Sequence, residues 1–220
     1  MPGILSHALF ADEIYRKLAN KLFLSKIDFL AGNLIPDLTI NKNLTHYYVS
    51  TGIDGLFIPN IECAKKDLFV PEDSVKLGMF CHIYLDYYFI KDILLPNFIW
   101  DIDKNKVINR LNNKDWTIQN FFSQNGLYGF YTKSNQMILK KQLISLITIA
   151  AIPSVLPKSG LYEFDLRRVK TWRAELNEYL VQEVNYAGEI FDIEFLWDFI
   201  DKMSTKFVDS FLSECPKFSE

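Results

Sequence analysis

The 220-residue chain has few of the residues that staple small domains or build thiolate metal sites. It has three cysteines, Cys63, Cys81 and Cys215, which are odd in number and show no paired CxxC spacing. Disulfide frameworks and cysteine-type zinc sites both depend on paired cysteines at short spacings. The sequence therefore favours neither, and we expect reduced thiols.

An excess of positive charge is also missing. The chain has 24 Lys and Arg against 27 Asp and Glu, which gives a formal net charge of -3 at pH 7. Proteins that bind a nucleic acid duplex usually present a basic patch or stripe to the phosphates. We therefore predict no nucleic acid duplex among the partners.

The apolar runs are too short to span a bilayer. The longest, residues 143–156, contains two serines, a threonine and Pro153, whereas a spanning helix needs about 20 apolar residues. This run predicts a buried helix that ends before Pro153. The first residues lack the uninterrupted apolar segment of a secretory signal, because His7, Asp12 and Glu13 interrupt it. We therefore expect a cytoplasmic protein.

Apolar and aromatic residues, in contrast, are abundant. Hydrophobic residues make up 49% of the chain and aromatic residues 15%, which is typical of a large core rather than of disorder. Apolar residues recur every three to four positions, the helical period, in residues 6–23, 73–94, 134–152, 163–186 and 192–212. No strand alternation of useful length is visible. We predict a single all-α domain over residues 1–220, a bundle of about six or seven helices.

Two segments lack the helical period. Residues 25–71 are interrupted by glycines and prolines, Gly32 and Pro36 first, which predicts a short helix over residues 27–32 followed by an ordered loop. Long loops inside a compact domain are usually functional. Residues 101–116 are polar and predict a surface connection that includes a short helix.

The three histidines, His7, His46 and His82, all lie in the first half of the chain. His82 precedes Asp86 by four residues on a predicted helix, and residues four apart lie on the same helix face. A hydrogen bond between the two could explain this pair without any metal. Adding Asp37, His7 and His46 to this pair, however, gives a set of five residues. This set supplies the nitrogen and oxygen donors that zinc and related ions accept.

The order of the motifs that carry these five residues is informative about the family. His7 falls in the first turn of a helix, Asp37 in GNLIPDL, His46 in THYY, and His82 and Asp86 in HIYLD. Over residues 1–96 this order resembles the zinc-dependent phospholipase C family, whose more distant relatives are the S1/P1 nucleases. The resemblance implies their all-helical fold and metal-assisted hydrolysis of a phospholipid head group or another small phosphodiester.

The resemblance also implies roles for individual residues. Asp37, His46, His82 and Asp86 would bind one zinc ion, with Asp37 also the general base for the attacking water. His7 and a bridging Asp86 would bind a second ion, which in that family is completed by the amine and carbonyl of the mature N-terminus.

The third metal centre of that family has no counterpart here. The family places a histidine about six residues after the helix aspartate, where this chain has Asp92, and no histidine follows His82. Asp92 is interpreted as a surface residue near a helix end, with an oxygen ligand as the alternative. We therefore predict a reduced site with one zinc ion and room for a second.

Other functions and partners stay open. The chain can be a non-catalytic helical domain that keeps a structural metal or polar cluster. It can also be an HD-type phosphohydrolase, although the adjacent His-Asp pair of those enzymes is absent. The aromatic residues between Phe98 and Tyr131 can form a membrane-surface contact or a homodimer interface, but such density is more typical of a core.

Overall fold

The computed structural model describes residues 2–18, 25–144, 163–181 and 190–216. Their α-helices are α1 (Ile4–Leu18), α2 (Lys26–Leu38), α3 (Lys42–His46), α4 (Ile61–Leu68), α5 (Ser74–Tyr88), α6 (Leu95–Asn97), α7 (Ile118–Phe121), α8 (Leu127–Lys140), α9 (Leu166–Val181) and α10 (Ile193–Glu214). A π-helical segment, Phe89–Leu94, connects α5 to α6. The strands are β1 (Tyr48–Ile53), β2 (Leu56–Pro59), β3 (Phe98–Asp101), β4 (Lys106–Asn109) and β5 (Asp115–Thr117).

The six longest described helices pack into the predicted bundle. Helix α1 contacts α2, α5, α8 and α10, while α9 packs on α8. Their apolar faces meet in one hydrophobic cluster that includes Phe10 of α1, Leu34 of α2, Ile83 of α5 and Phe207 of α10. Burial of such side chains contributes roughly 1.5–3 kcal/mol each to the stability of the fold. The apolar faces that the helical period of the sequence predicts are the faces that pack together.

Helices α2 and α5 approach each other at two glycines. A Cβ atom on Gly32 would lie 2.1 Å from the carbonyl oxygen of Val75, and one on Gly78 would lie 2.1 Å from that of Phe29. Neither distance is compatible with a real side chain, so glycine is required at both positions. The contact places the C-terminal half of α2 beside the middle of α5.

The prediction of a short helix over residues 27–32 that ends at Gly32 is wrong. Helix α2 begins after its N-cap, Ser25, and continues through Gly32 and Pro36 to Leu38. Its residues from Phe29 to Leu38 are all buried. Packing of this half-helix therefore outweighs the low helix propensity of glycine and the missing N–H group of proline.

The predicted loop after α2 contains regular structure as well. Asn41 and Asn60 cap α3 and α4 by accepting hydrogen bonds from backbone N–H groups. Between these helices β1 and β2 form an antiparallel hairpin. Gly52 and Gly55 lie at its turn with φ angles of 80° and 76°, a conformation that glycine adopts without strain.

Residues 101–116 form strands of a second sheet and the turns that connect them, and they contain no helix. The strand order of this sheet is β3-β4-β5, with antiparallel pairs such as Ile99 with Ile108 and Val107 with Trp116. Alternation over three or four residues is too short to recognise in a sequence. The fold is therefore mostly helical with two small sheets, and the prediction of a purely all-α fold is wrong.

The other helix predictions agree more closely with the structure. Helix α5 and its π-helical continuation cover the helix predicted over residues 73–94, and α9 and α10 fall near their predicted positions. Helix α8 begins at Leu127, earlier than predicted. The helix predicted to end before Pro153 lies mostly outside the described residues, and no described helix has the length and apolarity needed to cross a membrane.

Candidate metal centre

The structure brings the five predicted site residues together. His7 comes from α1, Asp37 from the last turn of α2, His46 from the end of α3, and His82 and Asp86 from successive turns of α5. The three histidines and Asp86 are completely buried, and Asp37 is 8% exposed. Residues far apart in the sequence thus form one buried polar cluster.

Asp86 lies at the centre of this cluster. Its Oδ1 is 3.1 Å from Nε2 of His7, and its Oδ2 is 3.5 Å from Nε2 of His82 and 3.8 Å from Nε2 of His46. Asp37 Oδ1 lies 3.8 Å from the same atom of His46. The three imidazoles therefore all turn Nε2 toward the carboxylates.

Two of the imidazole rings are oriented through their other nitrogen. Nδ1 of His46 donates to the carbonyl of Lys42 at 2.9 Å, and Nδ1 of His82 donates to the carbonyl of Asn33 at 2.7 Å. A carbonyl oxygen only accepts, so each Nδ1 carries a proton and the neutral ring keeps its lone pair on Nε2. Histidines that bind metal ions usually have this arrangement.

Several buried polar atoms of the cluster lack hydrogen bonds. Among the described residues, both carboxylate oxygens of Asp86 and both ring nitrogens of His7 have no hydrogen-bond partner. Their mutual contacts have ion-pair distances without hydrogen-bond geometry. Leaving a buried carboxylate in this state costs several kcal/mol, and a cation bound between these atoms would remove that cost.

Two overlapping triads in the described chain can hold a metal ion. They are His7 with Asp37 and His82, and His46 with His82 and Asp86, and within each triad the donor atoms lie within 4.8 Å of one another. Both triads include His82. Because Nδ1 of His82 is occupied by the Asn33 carbonyl, its Nε2 offers one bond to one ion. The two triads are therefore parts of a single centre.

Of the three histidines in the metal-free cluster, His82 is the one that is protonated most readily. Burial lowers the pKa of His46 to about 4, and burial together with the charge of His82 lowers the pKa of His7. Burial also opposes the charging of His82, but the carboxylate of Asp86 outweighs it and raises the pKa of His82. The rings of His7 and His82 stack at 3.7 Å, so two imidazolium charges there would repel strongly.

Both carboxylates of the cluster stay ionised. Burial would raise the pKa of Asp86, but His7 and His82 outweigh it and hold that pKa well below its usual range. For Asp37, burial is again outweighed, here by His82, Lys42 and His46, so that its pKa is lowered. Two ionised carboxylates thus lie among three buried imidazoles, and a divalent cation would neutralise their charge.

Asp37 connects the cluster to an open cavity of about 610 Å³. Of the five site residues, it is the one that lines this cavity, whose walls include Tyr48, Tyr128 and Tyr131. Structural zinc sites are closed by protein ligands, whereas catalytic sites keep one position open to water or substrate. The cavity beside Asp37 gives this centre such an open side.

The sequence analysis missed three residues that support the site. With its amide oriented for two good hydrogen bonds, Asn33 donates to the backbone carbonyl of His7 at 2.8 Å and accepts from the backbone N–H of His82 at 3.2 Å. Lys42 contacts Asp37 Oδ1 at 3.2 Å, and the ring of Tyr48 stacks on His46. Asn33 and Lys42 each precede a predicted ligand by four residues on a helix, which is the available signal.

Other sequence candidates lie away from the cluster. Asp92, considered as an oxygen ligand, is exposed and belongs to neither triad. Of the aromatic residues considered for a membrane or dimer contact, Phe98, Phe121 and Phe130 are buried in the core, whereas Tyr128 is 48% exposed. Most of these aromatic residues therefore belong to the hydrophobic core.

Comparisons with protein-family models, curated proteins and solved structures found no significant match to this chain. The function of this protein must therefore be inferred from the chemistry of the site. Three imidazole nitrogens and two carboxylates form a donor set that suits zinc and its neighbours among the transition metals.

Proposed function

We propose that this protein is a metal-dependent phosphoester hydrolase that uses zinc or a similar divalent ion. The observation that carries the proposal is the position of Asp37 between the buried His/Asp cluster and the 610 Å³ cavity. A purely structural metal has no need of an open side. The motif order that resembles zinc-dependent phospholipases C supports the same reaction class.

The five residues of the cluster would hold up to two metal ions. Asp37, His46, His82 and Asp86 would hold one ion, and His7 with Asp86 Oδ1 would hold a second. A bound zinc ion lowers the pKa of a coordinated water from 15.7 to about 7 and polarises a phosphoryl oxygen. The backbone carbonyls behind His46 and His82 fix both rings, so that the ligand geometry is set before substrate enters.

Asp37 is suited to the role of general base. The lowered pKa keeps its carboxylate ionised at neutral pH, and it lines the cavity that the substrate would enter. It could therefore accept a proton from the attacking water, while the fully buried Asp86 would serve to hold the ion. Tyr48 and Tyr131 wall the cavity beside it and would limit the access of bulk water.

The cavity fits a small phosphodiester or the head group of a phospholipid. Its lining is mainly aromatic and aliphatic, with the single carboxylate of Asp37 and the single ammonium of Lys42 among the described lining residues. Few charged groups on an apolar wall are typical of pockets that orient a small ligand.

Hydrolysis of bis(4-nitrophenyl) phosphate by the zinc-loaded protein tests the proposal. We expect turnover that 1,10-phenanthroline abolishes and that added zinc restores, and no turnover by an Asp86→Ala variant. An Asp92→Ala variant, changed at an exposed carboxylate outside the cluster, should match the wild type. Stoichiometric zinc without turnover of this ester, a phosphomonoester or phosphatidylcholine would instead support a structural metal. Undiminished hydrolysis by metal-free protein would overturn the proposal.

A further inference from the structure

Lys42 occupies a position that joins the cluster to the cavity. It is the first residue of α3, and its carbonyl accepts the Nδ1 proton of His46. Its Nζ lies 3.2 Å from Oδ1 of Asp37, and its side chain is 43% exposed. The backbone of this residue thus orients a candidate ligand while its ammonium lies at the open side of the site.

The cavity wall, as far as the structure describes it, offers the ammonium of Lys42 no positive neighbour. Among the described residues that line the cavity, it is the one cationic side chain, and Asp37 is the one carboxylate. Tyr48, Tyr131 and apolar side chains form much of the remaining wall. Within the described part of the wall, an anion that enters the cavity therefore meets one cationic side chain, which lies beside Asp37.

Lys42 can turn from Asp37 toward the cavity. Its ammonium contacts Oδ1 of Asp37 at 3.2 Å, and its side chain is 43% exposed and lines the cavity. A divalent ion held by Asp37 would share that carboxylate, and the flexible four-carbon stem of Lys42 lets its ammonium reach an anion in the cavity.

We propose that Lys42 is the substrate-binding residue for a phosphoryl group, whose non-bridging oxygen accepts a hydrogen bond from Nζ. This inference rests on the proposed function. It specifies the substrate class as esters that carry a negatively charged tetrahedral group, such as a phosphoryl group. A charge-assisted hydrogen bond of this kind binds the phosphoryl group in both ground and transition states. Lys42 would therefore bind the substrate directly and would not be a ligand of the metal ion.

Binding of inorganic phosphate to the zinc-loaded protein tests this role without requiring turnover. Isothermal titration should show phosphate binding to the wild type and a loss of affinity of roughly 10- to 100-fold in Lys42→Met. Lys42→Arg keeps the charge and should retain most of the affinity. Lys104→Met, changed at a lysine whose side chain is 77% exposed and which does not line the cavity, should bind phosphate as the wild type does. Zinc content is measured for each variant by elemental analysis.

The outcomes separate this inference from the proposed function. Equal phosphate affinity in Lys42→Met and wild type, at equal zinc content, would overturn it. Loss of zinc from Lys42→Met would also overturn it, because the lysine would then serve to hold Asp37 in place. Lys42-dependent phosphate binding by a protein that hydrolyses no phosphoester would support this inference while the hydrolase proposal fails.

Discussion

His46 and His82 face each other through the same ring atom, with their Nε2 atoms 3.2 Å apart. The opposite nitrogen of each ring donates to a backbone carbonyl, that of Lys42 for one and that of Asn33 for the other. Two N–H groups cannot point at each other at this distance, so at least one Nε2 carries a lone pair. Two imidazoles converging beside Asp86 form a place where a metal ion can replace a proton.

Zinc should raise the melting temperature through this cluster. Zinc at 100 times its dissociation constant adds about 2.7 kcal/mol to the free energy of unfolding, which corresponds to roughly 5–10 °C for a chain of this size. His82→Ala removes the residue that both triads share and should abolish the rise. Asp92→Ala should keep it, as measured by differential scanning fluorimetry with and without zinc. An equal rise in His82→Ala would place the zinc elsewhere.

The metal-free protein should lose stability as the pH falls from 6.5 to 4. The pKa of His46 is lowered from 6.5 to about 4 on folding, so in this window the unfolded chain binds a proton that the folded chain rejects. A tenfold difference in proton affinity between the two states corresponds to about 1.4 kcal/mol, so His46 alone accounts for about 3 kcal/mol. The lowered pKa of His7 acts in the same direction. Urea unfolding in EDTA at several pH values measures the loss.

A His46→Gln variant provides the control for this pH dependence. Glutamine does not titrate, so the loss between pH 6.5 and 4 should become clearly smaller. Asp37 and Asp86 contribute little in this window, because the unfolded chain protonates these carboxyls around the ordinary pKa of 3.8, while their lowered pKa values keep them ionised in the folded chain, so most of their stabilisation is lost below pH 4. The same slope in variant and wild type would show that His46 is not buried as a neutral ring.

Gly78→Ala should separate α2 from α5. The new Cβ would lie 2.1 Å from the carbonyl oxygen of Phe29, so the helices must move apart, at a cost of about 3 kcal/mol. Gly52→Ala is the matched control, because nothing lies within 4 Å of its Cβ and only its positive φ angle costs about 1–2 kcal/mol. Urea unfolding compares the two. Equal destabilisation would mean that the two helices are not in close contact at Gly78.

Asp37→Asn should abolish most of the proposed turnover. An amide cannot accept the proton of the attacking water, so kcat on bis(4-nitrophenyl) phosphate should fall by roughly 10²- to 10⁴-fold. The melting temperature of the zinc-free protein should also fall, because the lowered pKa of Asp37 means that its ionised carboxylate stabilises the fold, so kcat is measured well below that temperature. Asp115→Asn, at a half-exposed carboxylate, should leave kcat unchanged. A fully active Asp37→Asn variant would remove this residue from the reaction.

The long helices and the donors of the cluster could be predicted from the sequence. A helical period that persists over 15 residues or more is a strong signal, which is why α5 and α10 match their predicted positions. His82 and Asp86 follow from the same period, because four residues make about one helical turn. The other three donors came from their motifs and not from any geometry that the sequence contains.

The convergence of those donors could not be predicted, because it depends on tertiary contacts. Gly32 and Pro36 are helix breakers by propensity, yet close packing on α5 keeps both inside α2 and brings Asp37 to the cluster. The strands were missed because each spans only three to six residues. Lys42 is an ordinary surface lysine in the sequence, and only the fold places its ammonium beside Asp37.

Zinc stoichiometry tests the metal centre most directly. The purified chain is dialysed to equilibrium against buffered zinc, and the zinc per chain is measured by elemental analysis. We predict at least one ion per wild-type chain, and none in a His82→Ala, Asp86→Ala double variant whose circular dichroism shows retained helices. A wild-type chain that binds no zinc, or a double variant that binds as much as the wild type, would contradict a metal centre formed by this cluster.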